Sequence, residues 1–111
     1  MANQFVRKTS RAVGVTLTTV NSYTVAAATS AVVIGLSVAN ILANASIEVS
    51  ATLNDGSTDT YLIKNAPLAP GASLVIVGGD HKVVLVTADG IKVQSNTASS
   101  LDAVLSLLEI T

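Results

Sequence analysis

The chain has 111 residues, enough for one domain around a single core. Half of the residues are apolar, 3% are aromatic, 12% are charged, and the net charge is −1. There is no cysteine, so disulfides, zinc–thiolate centres and thiol catalysis are excluded.

Valine, alanine, leucine, isoleucine and threonine carry most of the sequence. That bias suits pleated, half-buried surfaces and favours strands. The charged share is about half the usual value. A surface this poor in charge suggests that part of it is covered by another molecule.

The first 47 residues hold Arg7, Lys8 and Arg11 and no acid, whereas the remainder holds three lysines and seven acids. Residues 1–20 are therefore read as an extended basic arm, and residues 21–111 as the folded domain. Three charges are too few to make nucleic acid the leading partner, because phosphate affinity grows with the number of contacts.

Val25–Ala43 is uncharged and long enough to imitate a signal peptide or a membrane anchor. Its texture argues otherwise. Thr29, Ser30, Gly35, Ser37 and Asn40 interrupt it, and the polar stretch Thr16–Thr24 separates it from the basic cluster. Val32, Ile34, Leu36 and Val38 alternate with Val33, Gly35, Ser37 and Ala39, a two-residue rhythm that predicts a strand.

Ile47, Val49, Ala51 and Leu53 alternate with Glu48, Ser50, Thr52 and Asn54, which predicts a half-buried strand. Asn54-Asp55-Gly56-Ser57 is a tight-turn signal. A partner strand is expected over Thr60–Lys64, with Tyr61 and Ile63 on its inner face. Asn65–Gly71 contains Pro67 and Pro70 and is expected to be a loop.

Leu74–Val77 reads as a strand buried on both faces. Gly78-Gly79-Asp80 turns the chain into a strand over Lys82–Val86. Ala88-Asp89-Gly90 turns it into another over Ile91–Ser95. The last segment fits two periods: Leu101, Val104, Leu105 and Leu108 have helical spacing, while Leu101, Ala103, Leu105 and Leu107 alternate as a strand would. About eight strands are counted from Ser22 onward, which predicts an all-β, antiparallel, two-sheet sandwich of jelly-roll type with an extended N-terminal arm.

Chemistry is sparse. His81 is the chain's one histidine, and it has no converging His, Cys or carboxylate ligands in sequence. Asp80 is too close in sequence to orient it as a catalytic base. Asp55–Asp59 lacks the ligand run and distant Glu of an EF-hand loop, and turn chemistry accounts for Asp55 and Gly56. Gly78-Gly79-Asp80 fits neither phosphate-binding nor dinucleotide fingerprints. No catalytic residue, cofactor or metal site is expected, and the chain is not read as an enzyme.

The Arg-Lys-Thr-Ser-Arg segment (Arg7–Arg11), the Leu53–Tyr61 hairpin, the Pro70-Gly71 to Asp80 segment and the Leu-Glu-Ile ending (Leu108–Ile110) together resemble small virion structural proteins of tailed bacteriophages, particularly of aquatic and cyanobacterial hosts. The likeness runs from Phe5 to Thr111. It implies a β-sandwich that assembles on the particle, and it tips the C-terminal segment towards strand.

Within that class the expectation is a capsid decoration, or cement, protein on the virion surface, made in the host cytoplasm. Its partners would be the major capsid protein and further copies of itself, in a homo-oligomer such as a trimer. Phe5, Val6, Arg7, Lys8 and Arg11 would be the partner-binding residues of the arm. The competing readings are a tail, collar or fibre-adaptor component, and a secreted or anchored surface β-domain.

Overall fold

The computed structural model describes residues 3–111. Met1 and Ala2, which begin the expected arm, lie outside the described residues. Nine strands follow in order: β1 (Gln4–Val13), β2 (Thr18–Thr19), β3 (Ser30–Asn40), β4 (Ile47–Asn54), β5 (Asp59–Leu68), β6 (Ser73–Val77), β7 (Val83–Leu85), β8 (Gly90–Ser95) and β9 (Leu101–Ile110). A 3-10 turn over Val20–Ser22 is the sole helical element among the described residues. Seven of the strands lie beyond Ser22, one fewer than the sequence suggests, and two precede it.

The larger sheet has the order β1-β9-β3-β6, with β7 pairing beside β6 on the same edge of β3. The smaller has the order β2-β8-β4-β5. Every pairing is antiparallel. Strands from opposite ends of the chain lie side by side, β1 with β9 and β2 with β8. If β6 and β7 are taken as one interrupted edge, this is a jelly-roll-like sandwich of two four-stranded sheets.

Alternation builds the core. Leu101, Ala103, Leu105 and Leu107 of β9 face inward and are buried. They lie opposite Asn40, Val38, Leu36 and Val33 of β3. Val49 and Ala51 of β4, with Ile91 and Val93 of β8, close the core from the smaller sheet. Each fully buried valine, leucine or isoleucine contributes about 1.5–3 kcal/mol relative to exposure, and no aromatic side chain is buried among them.

Bulges account for three departures from simple alternation. On β3 the register with β9 slips between Val33 and Gly35, leaving Ile34 as the extra residue. Val33 is therefore buried while Val32 and Ile34 are half-buried, and the expected inner face holds for Leu36 and Val38 but not for Val32 and Ile34. On β5 the register with β4 slips twice. One slip, at Leu62, leaves Ile63 opposite buried Ala51 but sets Tyr61 opposite Thr52, on the outer face. Tyr61 is accordingly exposed.

Asn65–Leu68, expected as loop, continues β5, with Ala66, Pro67 and Leu68 opposite Val49, Glu48 and Ile47. β5 is an edge strand, so Pro67 can sit where no ladder donor is required. Leu74–Val77, expected to be buried on both faces, is not: Val75 lies opposite Ser37 on the outer face and is exposed. Val25–Ala43 contains β3 and no helix, and no helix among the described residues is long and apolar enough to cross a membrane.

One glycine is fixed by a close approach. A Cβ on Gly90 would lie 2.9 Å from the Tyr23 carbonyl oxygen, where the segment before β3 crosses the start of β8. Gly56 serves the β4–β5 turn with a φ of 102°, a conformation that other residues resist.

Candidate interaction surfaces

The expected arm residues fall on β1, an edge strand paired along β9. Alternation divides them. Phe5 and Arg7 lie opposite Leu108 and Ser106 on the outer face, and Phe5 is 79% exposed. Val6 and Lys8 lie opposite core residues Leu107 and Leu105, at the rim of the sandwich. The Lys8 ammonium stands over the Tyr23 ring, 5.5 Å from its centroid. Arg11 is exposed at a bulge, beside Ala12 with a φ of 53°. The structure therefore does not gather the five residues into one patch.

A small polar cluster fastens β1 and the Tyr23 segment to the end of β9. The Tyr23 hydroxyl donates to Glu109 Oε2 at 2.6 Å, and Gln4 Nε2 donates to Glu109 Oε1 at 3.1 Å. Burial, then the bond to Glu109 and its charge, push the Tyr23 phenol well above the usual range. At the other end of β1, the Ala12 N–H donates to Asp102 Oδ1 at 2.9 Å.

The outer face of the larger sheet mixes exposed apolar side chains with small polar residues and Arg7. Cross-strand register sets Phe5, Leu108, Val32 and Val84 in one row across β1, β9, β3 and β7. A second row runs Thr9, Val104, Ser37 and Val75 across β1, β9, β3 and β6. Between them lie Arg7, Ser106 and Gly35. Val84, Val75, Val104 and Ile110 are 63%, 66%, 40% and 40% exposed. Arg11 and Asp102 sit together at one end, lining a wide recess with Thr9, Ala12 and Ile41.

The outer face of the smaller sheet is polar. Glu48, Ser50, Thr52 and Asn54 of β4 lie beside Lys92 and Gln94 of β8. A shallow recess of about 230 Å³ opens between Glu48, Ser50, Asn65, Gln94 and Asn96. Its polar groups already bond one another or the backbone. Asn65 N–H donates to Ser50 Oγ at 3.0 Å, Gln94 Nε2 to the Val15 carbonyl at 2.7 Å, and Glu48 N–H to Asn96 Oδ1 at 3.0 Å. Among the described residues, no buried side-chain nitrogen or oxygen lacks a partner.

The remaining candidates are turn residues. His81 is exposed in the β6–β7 turn, where its N–H donates to the Gly78 carbonyl. Asp55 Oδ1 accepts from the N–H groups of Thr58 and Ser57 at 2.8 and 3.1 Å, which hold its carboxyl below the ordinary range. Asp59 is lowered too, first by the Asn54 side chain and then by the Thr52 hydroxyl. Asp89 Oδ2 accepts from the Val86 N–H at 2.9 Å. These carboxylates close turns. Among the described residues, no three His, Asp or Glu side chains converge as a metal site would require.

The apolar outer face is the feature that sequence reasoning missed. Its signal was present as valine, leucine and isoleucine at the second parity of β9: Val104, Leu108 and Ile110.

No protein-family profile matches the chain, and no curated protein matches it in sequence. Solved structures do resemble it. A subunit of Bacillus endospore appendages, a family of disulfide-linked pili, aligns with a TM-score of 0.54 at 12% identity, over 99% of this chain and 87% of that one. A protein of the virus-like particle of the Macrobrachium rosenbergii extra small virus aligns with a TM-score of 0.45 at 13% identity, over 99% of this chain and 79% of that one. At such identities the first likeness is one of fold.

Proposed function

We propose that this chain is a structural subunit of a bacteriophage virion, acting as a capsid decoration protein that binds the assembled head and stabilises contacts between capsomers. The observation that carries the reading is an outer sheet face with exposed valines, Val75, Val84 and Val104. Such a surface is suited to contact. The sequence resemblance to phage virion proteins supports the same reading. The fold shared with a pilus subunit supports the coarser part of it, a structural role, although that pilus's disulfide linkage has no counterpart in a cysteine-free chain.

The mechanism is mass action. A subunit that binds only the assembled shell stabilises that state by the free energy of its binding. Phe5, Val6, Arg7, Lys8 and Arg11 contribute from β1, which adds its free edge and basic side chains to an acidic neighbouring subunit. The major capsid protein is the partner.

Binding of the purified chain to shells that lack it tests this reading. The full chain should saturate the shell and raise its melting temperature. A variant with Arg7, Lys8 and Arg11 changed to glutamate should bind more weakly while keeping its circular dichroism spectrum. A chain that shows no affinity for shells but copurifies with tails would transfer it to the tail, collar or fibre-adaptor reading.

A further inference from the structure

The outer face of the larger sheet exposes Phe5, Val75, Val84, Val104 and Ile110 among small polar residues and Arg7, whereas monomers rarely expose a contiguous apolar patch beyond a few hundred Å². From β1 to β7 the face is four strands wide, and it runs the length of β9. With strands about 4.8 Å apart and a rise of about 3.3 Å per residue, its footprint is roughly 600 Å². Two such faces in contact would bury roughly 1,200 Å², the lower bound for stable specific interfaces.

We propose that this face is a self-association surface, on which a second copy of the chain packs about a two-fold axis parallel to the strands, between β9 and β3. The proposal shares this face, with Phe5 and Arg7, with the proposed shell contact, and it is tested separately because self-association is measured on the free chain.

The order of residues across the sheet selects this geometry. Packed sheets keep their strands aligned to within about 30°, which leaves two symmetric arrangements. An axis parallel to the strands exchanges the two edges of the face. Phe5 then meets Val84 of the second copy, and Leu108 meets Val32, so the apolar row is complementary to itself. Thr9 meets Val75, and the small pair Ser106 and Gly35 meet each other. Arg7 falls opposite the Gly78–Lys82 turn, which joins β6 and β7 beside Gly35 and carries Asp80. An axis perpendicular to the strands at the level of Ser106 instead sets Arg7 against Arg7 and Phe5 against Thr9. Like charges facing each other in an apolar interface are unfavourable, so the parallel axis prevails.

Exposed positions make the test clean. Sedimentation of the full chain should show a concentration-dependent dimer. Val84→Asp, at a residue 63% exposed in the single chain, should weaken the dimer by on the order of a hundredfold, because each copy then buries an unpaired charge. Its circular dichroism spectrum should not change. Arg7→Asp and Asp80→Arg should each weaken association by about tenfold, and the double variant should recover most of it.

Because the chain has no cysteine, a thiol-to-thiol crosslinker spanning about 10 Å, the spacing of packed sheets, should join Phe5→Cys to Val84→Cys chains, and should not join Phe5→Cys chains to one another. A chain that stays monomeric at every concentration overturns the proposal, as does a dimer indifferent to Val84→Asp. Loss of shell binding by Val84→Asp in a monomeric chain would assign the face to another protein, with the same consequence. Failure here leaves the shell-binding test of the preceding section unaffected.

Discussion

The Asn40 side chain ties the two sheets together: its amide nitrogen donates 3.1 Å to the carbonyl of Leu68, so the last residue of β3 holds the last residue of β5. The same nitrogen donates to the Ala45 carbonyl at 2.9 Å, and Oδ1 accepts from the Leu42 N–H at 2.9 Å. Asn40 is 2% exposed; its bond to Leu68 is buried and the other two are partly buried. Asn40→Ala should lower the unfolding free energy by on the order of 2 kcal/mol, since it orphans the buried Leu68 carbonyl and removes two partly buried bonds. Denaturant titration checks this, with exposed Asn44→Ala, in the same connection, expected to stay within about 0.5 kcal/mol of the parent.

Gly90 is a second point where the backbone sets the sequence. Gly90→Ala places a methyl group 2.9 Å from the Tyr23 carbonyl, an approach that only main-chain movement can relieve. The expected loss is about 1–3 kcal/mol, read as a lowered melting temperature. Gly14→Ala, whose Cβ would find its nearest neighbours at 3.6 Å, should cost less.

The parity of β9 is directly measurable. Leu105 is fully buried between β1 and β3, and Val104 is 40% exposed on the outer face. Leu105→Ala should cost about 2–5 kcal/mol, and Val104→Ala below about 1 kcal/mol in the single chain. A helix would bury both, so comparable losses at the two positions would contradict the strand.

Stability should fall at both ends of the pH range, for opposite reasons. Tyr23 has its folded pKa raised above the ordinary value of 10.0, so the folded state retains a proton that the unfolded state releases. Its contribution is complete below pH 10 and declines as pH rises beyond it. Asp55 and Asp59 have folded pKa values below the ordinary 3.8. Their contribution is present above that value and is lost as pH falls through the depressed range. Melting temperatures across pH should therefore decline at each limit. Tyr23→Phe should flatten the alkaline limb alone, and Asp55→Ala should shallow the acid limb.

Particular residues mark how far the sandwich was legible. Along Ile47 to Leu53 alternation predicted burial correctly at Ile47, Val49 and Ala51, but Ser50 and Thr52 on the other face are buried as well, bonded to Asn65 and Asp59. Bulges defeated the same rule at Ile34 and Leu62, because one extra residue reverses every side chain beyond it. Pro67 was read as a break, and its place on an edge strand depends on the order of strands, a property of the whole fold. The C-terminal segment allowed two periods because β9 is apolar on both faces: Leu105 and Leu107 serve the core, and Val104 and Leu108 serve the outer face. That double character, which obscured the secondary structure, was also the sign of exposed apolar side chains on the outer face.

The turn residues were read correctly as closers of hairpins, since Asp55 and Gly56 act through local geometry that composition encodes. The basic residues of β1 were legible as a cluster, but their division between two faces was not, because it depends on pairing with β9.

The central claim is that this chain serves as a bulk component of an assembled head. Quantifying it against the major shell protein in purified particles tests that most directly. The account predicts a copy number commensurate with that of the shell protein; absence from the particle, or only a few copies in each, would contradict it.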